Sequence, residues 1–242
     1  MEAGSKVRVS FGVADLVAKP AFNSTRISQL IYGENIEAES SDGAFVPVYY
    51  QPSGDLKRYA LKKLLAFEED GEERRYKLKQ RVYAGGLSLP FGSYLSEQEV
   101  EDLRIDRGLL ADVSEKFQPA ELAPRFLGVP YLTGGTSDFG FDCSGFIQRL
   151  FRFCGIEIPR KSKYQQLAGK EVENWNQVEP NDLIFFLGHK RSEVSHVGLY
   201  VGKNEIIHSS QSEGGVVRTD LSDGSKYSQD LNLRSPSIGR FE

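Results

Sequence analysis

Cys143 lies where a glycine-rich loop, Thr133-Gly-Gly-Thr-Ser-Asp-Phe-Gly140, runs into a stretch whose apolar residues Phe146, Ile147, Leu150, Phe151 and Phe153 fall on one helical stripe. That pattern predicts a helix from Asp142 to Cys154, stopped by Gly155, with Cys143 in its first turn. A helix N-terminus carries roughly half a positive charge, which favours thiolate over thiol, and cysteines placed this way are the reactive ones. Cys143 is therefore the candidate nucleophile. Cys154 sits in the apolar stripe and reads as a core residue. Eleven residues of helix, at a rise of about 1.5 Å each, also hold the two sulfurs too far apart to pair.

A thiol nucleophile needs a base. The chain has three histidines: His189, His196 and His208. His196 opens the run His196-Val-Gly-Leu-Tyr-Val201 and His208 closes Glu205-Ile-Ile-His208, with Gly202-Lys203-Asn204 between them. A three-residue hairpin turn there, with a slip of one pair, predicts His196 directly opposite His208 on one face, roughly 5 Å apart. One imidazole would take the thiol proton while the other orients it. His189, in the polar loop Gly188-His-Lys-Arg-Ser-Glu193, reads as a solvated residue. Cys143, His196 and His208 also make a conceivable metal set, but they lack the close paired spacing of a structural zinc site.

These residues need elements to hold them. Leu183–Leu187, Val197–Val201, Glu205–His208 and Ile238–Phe241 read as strands following the cysteine's helix, which predicts an α+β domain. Pro119 to Leu127 reads as a short helix that Pro124 kinks or shortens, ending at Gly128. The first third reads as all-β, with runs at Val7–Val17, Ser28–Tyr32, Ala44–Tyr50 and Tyr59–Leu61, and a turn at Pro52-Ser53-Gly54-Asp55. Glu68-Glu-Asp-Gly-Glu-Glu73 reads as a solvated linker. Tyr76–Tyr83 alternates apolar and basic residues as a half-buried strand would, and Ser96 with Glu99 forms a candidate capping box.

With 242 residues the chain is long enough for one large domain or two smaller ones, and 39% hydrophobic content excludes a disordered chain. No apolar run approaches the roughly 20 residues of a membrane-spanning helix. A net charge of -4 argues against nucleic acid as the main partner. The opening MEAGSKVRVSFG has no apolar leader segment, which leaves two readings open: a cytoplasmic protein, or a mature form whose leader has been removed.

Val129-Pro-Tyr-Leu-Thr-Gly-Gly135, Gly140-Phe-Asp-Cys-Ser-Gly-Phe146, Gly155-Ile-Glu-Ile-Pro-Arg160, Asp182-Leu-Ile-Phe-Phe186 and His196-Val-Gly-Leu-Tyr-Val201 resemble, in order, the NlpC-type cell-wall cysteine peptidases. The resemblance implies a compact papain-like domain over residues 118–242. It implies Cys143 as nucleophile, His196 as base and His208 as the residue orienting it, with no metal or organic cofactor. The substrates it implies are murein (peptidoglycan) stem peptides. Gly12-Val-Ala-Asp-Leu-Val-Ala-Lys-Pro20 and Ser28-Gln-Leu-Ile-Tyr-Gly-Glu34 are similar to the bacterial SH3 domains of one branch, the γ-D-glutamyl-L-diamino acid endopeptidases. That implies small all-β SH3-like barrels at 1–72 and 73–117. It also implies substrates with a free N-terminal L-Ala, contacted by Tyr131, Asp142, Ser144 and Ser162. From the residues alone, Asp142 is equally suited to capping its helix and to holding a substrate ammonium.

The chain departs from that branch at Thr133, where a tryptophan is usual, at Lys161, where an aspartate follows the arginine, at Thr25, where a glutamate is frequent, and near Arg58-Tyr59, where Gly-Trp is usual. Reaction class is thus better specified than substrate. A silent peptidoglycan-binding protein and a papain-like amidase or acyltransferase are the rival readings.

Overall fold

The computed structural model describes residues 5–49, 57–67, 73–188, 190 and 192–241. The turn at 52–55, His189 and most of the acidic linker at 68–73 lie outside them. The chain divides into two compact units: residues 1–115 with 133–139, and residues 116–132 with 140–242.

The first unit is built on a seven-stranded antiparallel sheet. Its order is Arg26–Ile31, Val13–Val17, Lys57–Leu61, Phe45–Tyr49, Asn35–Ala38, Ser5–Val9 and Leu65–Phe67. Alternate residues turn inward, and Val7, Val9, Leu16, Leu30, Val46 and Val48 form one buried apolar cluster. The β-run read from Val7 to Val17 is two strands broken at Ser10–Gly12. A Cβ on Gly12 would stand 2.2 Å from the carbonyl oxygen of Ser88, so only glycine fits that break.

A second apolar cluster in the same unit gathers Leu78, Leu89, Leu95, Val100, Ile105 and Leu110. The single strand expected over Tyr76–Tyr83 is instead two, Tyr76–Leu78 and Val82–Ala84. The apolar–basic alternation misled because Lys77 is buried: its ammonium donates to the carbonyls of Val113 and Glu115, at 3.4 and 3.2 Å. The capping box is present. Ser96 caps the helix Glu97–Asp102, and Glu99 returns a carboxylate oxygen to the Ser96 N–H. The same Glu99 carboxylate accepts from Arg8, Tyr32 and Arg74.

The second unit combines helices with a six-stranded antiparallel sheet. Its order is Lys170–Glu171, Ser237–Arg240, Leu183–Leu187, Val194–Gly202, Glu205–Ser210 and Gly215–Asp220. The helix Cys143–Phe153 presents Phe146, Ile147, Leu150 and Phe151 to the interior, all essentially without exposure. Cys154 is buried as expected but is the C-cap rather than a residue inside the helix, and Gly155 follows at φ +83°. Pro124 shortens the preceding helix to Pro119–Leu122, continued by a single 3₁₀ stretch Ala123–Phe126. The helices Ser162–Ala168 and Lys226–Leu233 and the strands Gly140–Phe141, Lys170–Glu171 and Gly215–Asp220 were not read from the sequence. Among the described residues no helix is long and apolar enough to cross a membrane.

Candidate active site

Asp142 is the N-cap that starts the cysteine's helix: its Oδ1 accepts from the Gly145 N–H at 2.7 Å. Cys143 follows as the first helical residue. Its Sγ lies 3.9 Å from the Ser195 carbonyl oxygen, and the Val197 N–H also points to it. The residue between those two backbone groups is His196, and Cys143 and His196 line the same cleft.

The strand pairing corrects the hairpin expected from the sequence. Lys203 and Asn204 both adopt positive φ, at 54° and 60°, so the turn has two residues, and a bulge precedes it between Tyr200 and Gly202. Leu199 therefore pairs with Ile207, and His196 stands diagonal to His208 rather than opposite it. The residue facing His208 is Gly198, where a Cβ would come within 3.3 Å of the His208 Cβ. Both strands also run further than read: Val194 precedes His196, and Ser209 and Ser210 follow His208. The diagonal still closes. His196 Nε2 meets His208 Nδ1 at 2.7 Å, with the ring centroids 4.9 Å apart.

The relay extends one residue beyond what the spacing suggested. His208 Nε2 lies 3.0 Å from the Thr219 hydroxyl, and the Tyr227 ring stacks on His208 at 5.9 Å and 12°. Since Nε2 of His196 is engaged by His208, Nδ1 is the nitrogen left to receive a thiol proton. A neutral set satisfies every contact: His196 Nε2–H donates to His208 Nδ1, and His208 Nε2–H donates to Thr219 Oγ1.

Electrostatics at the sulfur oppose the helix N-terminus. Cys143 keeps part of its surface open to the cleft, yet the surrounding protein pushes its thiol up to about 12, and the Asp142 charge adds to the rise. The backbone N–H groups of Ser144 and Val197 pull the other way without winning. Burial, the neighbouring His208 and the Arg234 guanidinium hold His196 well below its ordinary value. Burial, then Arg234, lowers His208 to about 4. Burial thus works against charge on the thiol and on both imidazoles alike.

Residues 128–234 match the model of the NlpC/P60 family. The chain carries an NlpC/P60 domain. Over 85 residues it is 47% identical to a γ-D-glutamyl-L-lysine dipeptidyl-peptidase of Bacillus subtilis (strain 168), covering 35% of this chain and 28% of that protein. Over 110 residues it is 38% identical to the murein DD-endopeptidase MepS/murein LD-carboxypeptidase of Escherichia coli (strain K12), covering 45% and 57%. The chain thus spans well under two thirds of the length of either relative. A crystal structure of an NlpC/P60 family protein from Bacillus cereus ATCC 10987 superposes with a TM-score of 0.77 over 98% of this chain and 99% of that one. At 19% identity, that likeness is one of fold.

Within the NlpC/P60 domain the sequence-derived residues separate into two groups. Tyr131 joins Cys143 and His196 in a cleft of about 740 Å³, and burial with the nearby Cys143 and Asp142 pushes its phenol up to about 12. Asp142, Ser144 and Ser162 are not among the residues lining that cleft. Asp142 and Ser144 are drawn to Arg160, whose guanidinium is almost fully buried. Arg160 Nη1 donates to Asp142 Oδ1 at 2.9 Å and to Ser144 Oγ at 3.0 Å, and Nη2 donates to Asp142 Oδ2 at 2.6 Å. Ser162 is buried in the first turn of Ser162–Ala168, next to Lys161 at the N-cap.

Sequence reasoning missed Thr219, the Arg160–Asp142 pair and the cleft wall at Lys226–Arg234. Thr219 lies in a strand whose apolar content is little more than Val216-Val217, too short to read. Arg160 gives no local sign of partnering a residue 18 positions away. The Lys226–Leu233 helix did offer a signal in Ser225, which caps the Ser228 N–H. No group of three or more metal-ligating side chains that could hold an ion occurs among the described residues.

Proposed function

We propose that this protein is a cysteine endopeptidase of murein stem peptides, cleaving between γ-D-Glu and the diamino acid in peptides with a free N-terminal L-Ala. The carrying observation is the Cys143, His196 and His208 arrangement, with the 2.7 Å contact between the histidine rings and a cleft open at the sulfur. The names of the relatives support the substrate class. In the proposed reaction the Cys143 proton passes to His196 as sulfur attacks the γ-glutamyl carbonyl. The free N–H of Cys143, at the helix start, faces the developing oxyanion. His196 then protonates the leaving amine, and water releases the acyl group. His208 and Thr219 hold His196 in the accepting tautomer throughout.

Tyr131 borders the acyl half of the substrate. Asp142 and Ser144, with Ser162 at the next helix start, form the polar side that reads the L-Ala amine. The Asp142 carboxylate already carries Arg160 and the helix cap, so the amine would share it. Residues 1–72 and 73–117 act as SH3-like barrels ahead of a catalytic domain at 118–242, a division supported by the two separate apolar clusters of the first unit.

One observation favours a second reading, a peptidoglycan-binding protein without turnover: the thiol is held up at about 12. Mass spectrometry of L-Ala-γ-D-Glu-diamino acid peptides, incubated with the wild type and with Cys143→Ala, separates the two. Release of L-Ala-D-Glu by the wild type alone is the expected result. No release, together with no alkylation of Cys143 at pH 6, would leave the binding reading.

A further inference from the structure

One wall of the cleft is a charged helical face. Lys226, Asp230 and Arg234 recur every four residues along and just past the helix Lys226–Leu233, and all three line the cleft with Cys143 and His196. Arg234 is not a loose surface cation. Its Nε donates to the Leu187 carbonyl at 2.6 Å and its Nη2 to Ser195 Oγ at 3.0 Å, which fixes the fork against the strand that carries His196. The arginines Arg152, Arg160, Arg218 and Arg240 of this unit each hold a carboxylate. Arg234 holds only neutral oxygens, and among the described residues its Nη1 has no hydrogen bond and neither it nor Lys226 has a carboxylate partner. A guanidinium aimed and left unneutralised beside a nucleophile is built for an anion that arrives with the substrate.

We propose that Arg234, assisted by Lys226, is the subsite for a carboxylate on the leaving half of the peptide. The side follows from the proton's path. His196 must deliver its proton to the leaving amine, so that half passes over the histidine strand, and Arg234 is pinned to Ser195, the residue before His196. The acyl half lies toward Tyr131 and the start of the Cys143 helix. Asp230 and Glu213 line the same cleft, so a leaving group bearing both a carboxylate and an ammonium, as a diamino acid does, meets both signs there. The inference rests on the peptidase reading for its substrate, and its test is arranged to stand apart from it.

The test compares L-Ala-γ-D-Glu-L-Lys with its C-terminal amide. Wild-type kcat/KM is expected to favour the free acid by about tenfold or more, the scale of one charge-assisted hydrogen bond. Arg234→Gln should bring the acid-to-amide ratio toward one, and Lys226→Gln should lower it by a smaller factor. A wild-type ratio of one, or a ratio unchanged in both variants, overturns the subsite. Should Arg234→Gln fail to fold, the exposed Lys226 and the wild-type ratio still decide. If the wild type cleaves neither peptide, the peptidase reading fails by itself. Calorimetric binding of both peptides to Cys143→Ala then judges the subsite: tighter binding of the acid upholds it, and equal or absent binding sinks it.

Discussion

Asp142 and Cys143 are consecutive in the chain, yet the polar assemblies they begin are opposites. From Asp142 runs a charged assembly: a carboxylate held by a helix N–H and by both arms of a buried guanidinium, with the Ser144 hydroxyl alongside. From Cys143 runs an uncharged one through His196, His208 and Thr219, in which burial opposes every ion that could form. A charge taken out of water needs an opposite charge and hydrogen bonds to stay there. A proton relay needs the reverse: groups that stay neutral until the reaction itself moves the proton. One helix start serves both because its cap and its first residue face different partners.

The contrast breaks most visibly at the relay. His196→Ala is expected to lower the cleavage rate by roughly a thousandfold or more, and adding Cys143→Ala should cost little further, because groups acting as a unit are not additive. Single-turnover rates of the single and double variants measure this, and an additive double loss would mean that the two residues work separately. Next in size is the charged assembly. Arg160→Met strands a carboxylate whose partner was 3% exposed, so urea unfolding should show a loss of about 3–5 kcal/mol. Asp142→Asn added to that variant should recover part of the loss, and no recovery would deny that the pair is what holds Arg160.

The pH dependence of stability sharpens the same comparison. His208 is lowered to about 4 from 6.5, so the folded state refuses a proton that the unfolded chain accepts; stability is full above 6.5 and falls as pH drops toward 4. Cys143 is raised to about 12 from 9.0, so stability is full below 9 and falls as pH climbs toward 12. Thermal melts across pH should show both limbs, with Cys143→Ala flattening the alkaline one. The smallest effect is expected at the end of the relay. Thr219→Val keeps the shape and removes the hydroxyl, costing about 1 kcal/mol and lowering kcat a few-fold with KM unchanged. A raised KM instead would put Thr219 in substrate binding.

Much of the site was legible because its signals are local. The stripe after Cys143, the cap at Asp142 and the stop at Gly155 all act within one helix, and the structure has each of them. The histidine pair was legible as a pair but not in its register: setting His196 opposite His208 needs a slip of one pair, and the bulge between Tyr200 and Gly202 with the two-residue turn keeps Leu199 on Ile207 instead. In the first unit, the short runs gave strands but not their breaks. Gly12 is demanded by Ser88 and Lys77 is buried on remote carbonyls, and neither partner is near in the chain.

The sequence by itself determined the candidate nucleophile, the two histidines and the helix that presents the sulfur, because periodicity, capping and motif order are properties of neighbouring residues. Only the tertiary structure decided how far burial opposes charge at the site, the partner of Asp142 and the cationic wall at Arg234. Those depend on how much protein surrounds a group and on which distant residues reach it. Burial raised a thiol that its helix position alone would have lowered, and no local pattern records the protein packed around a sulfur.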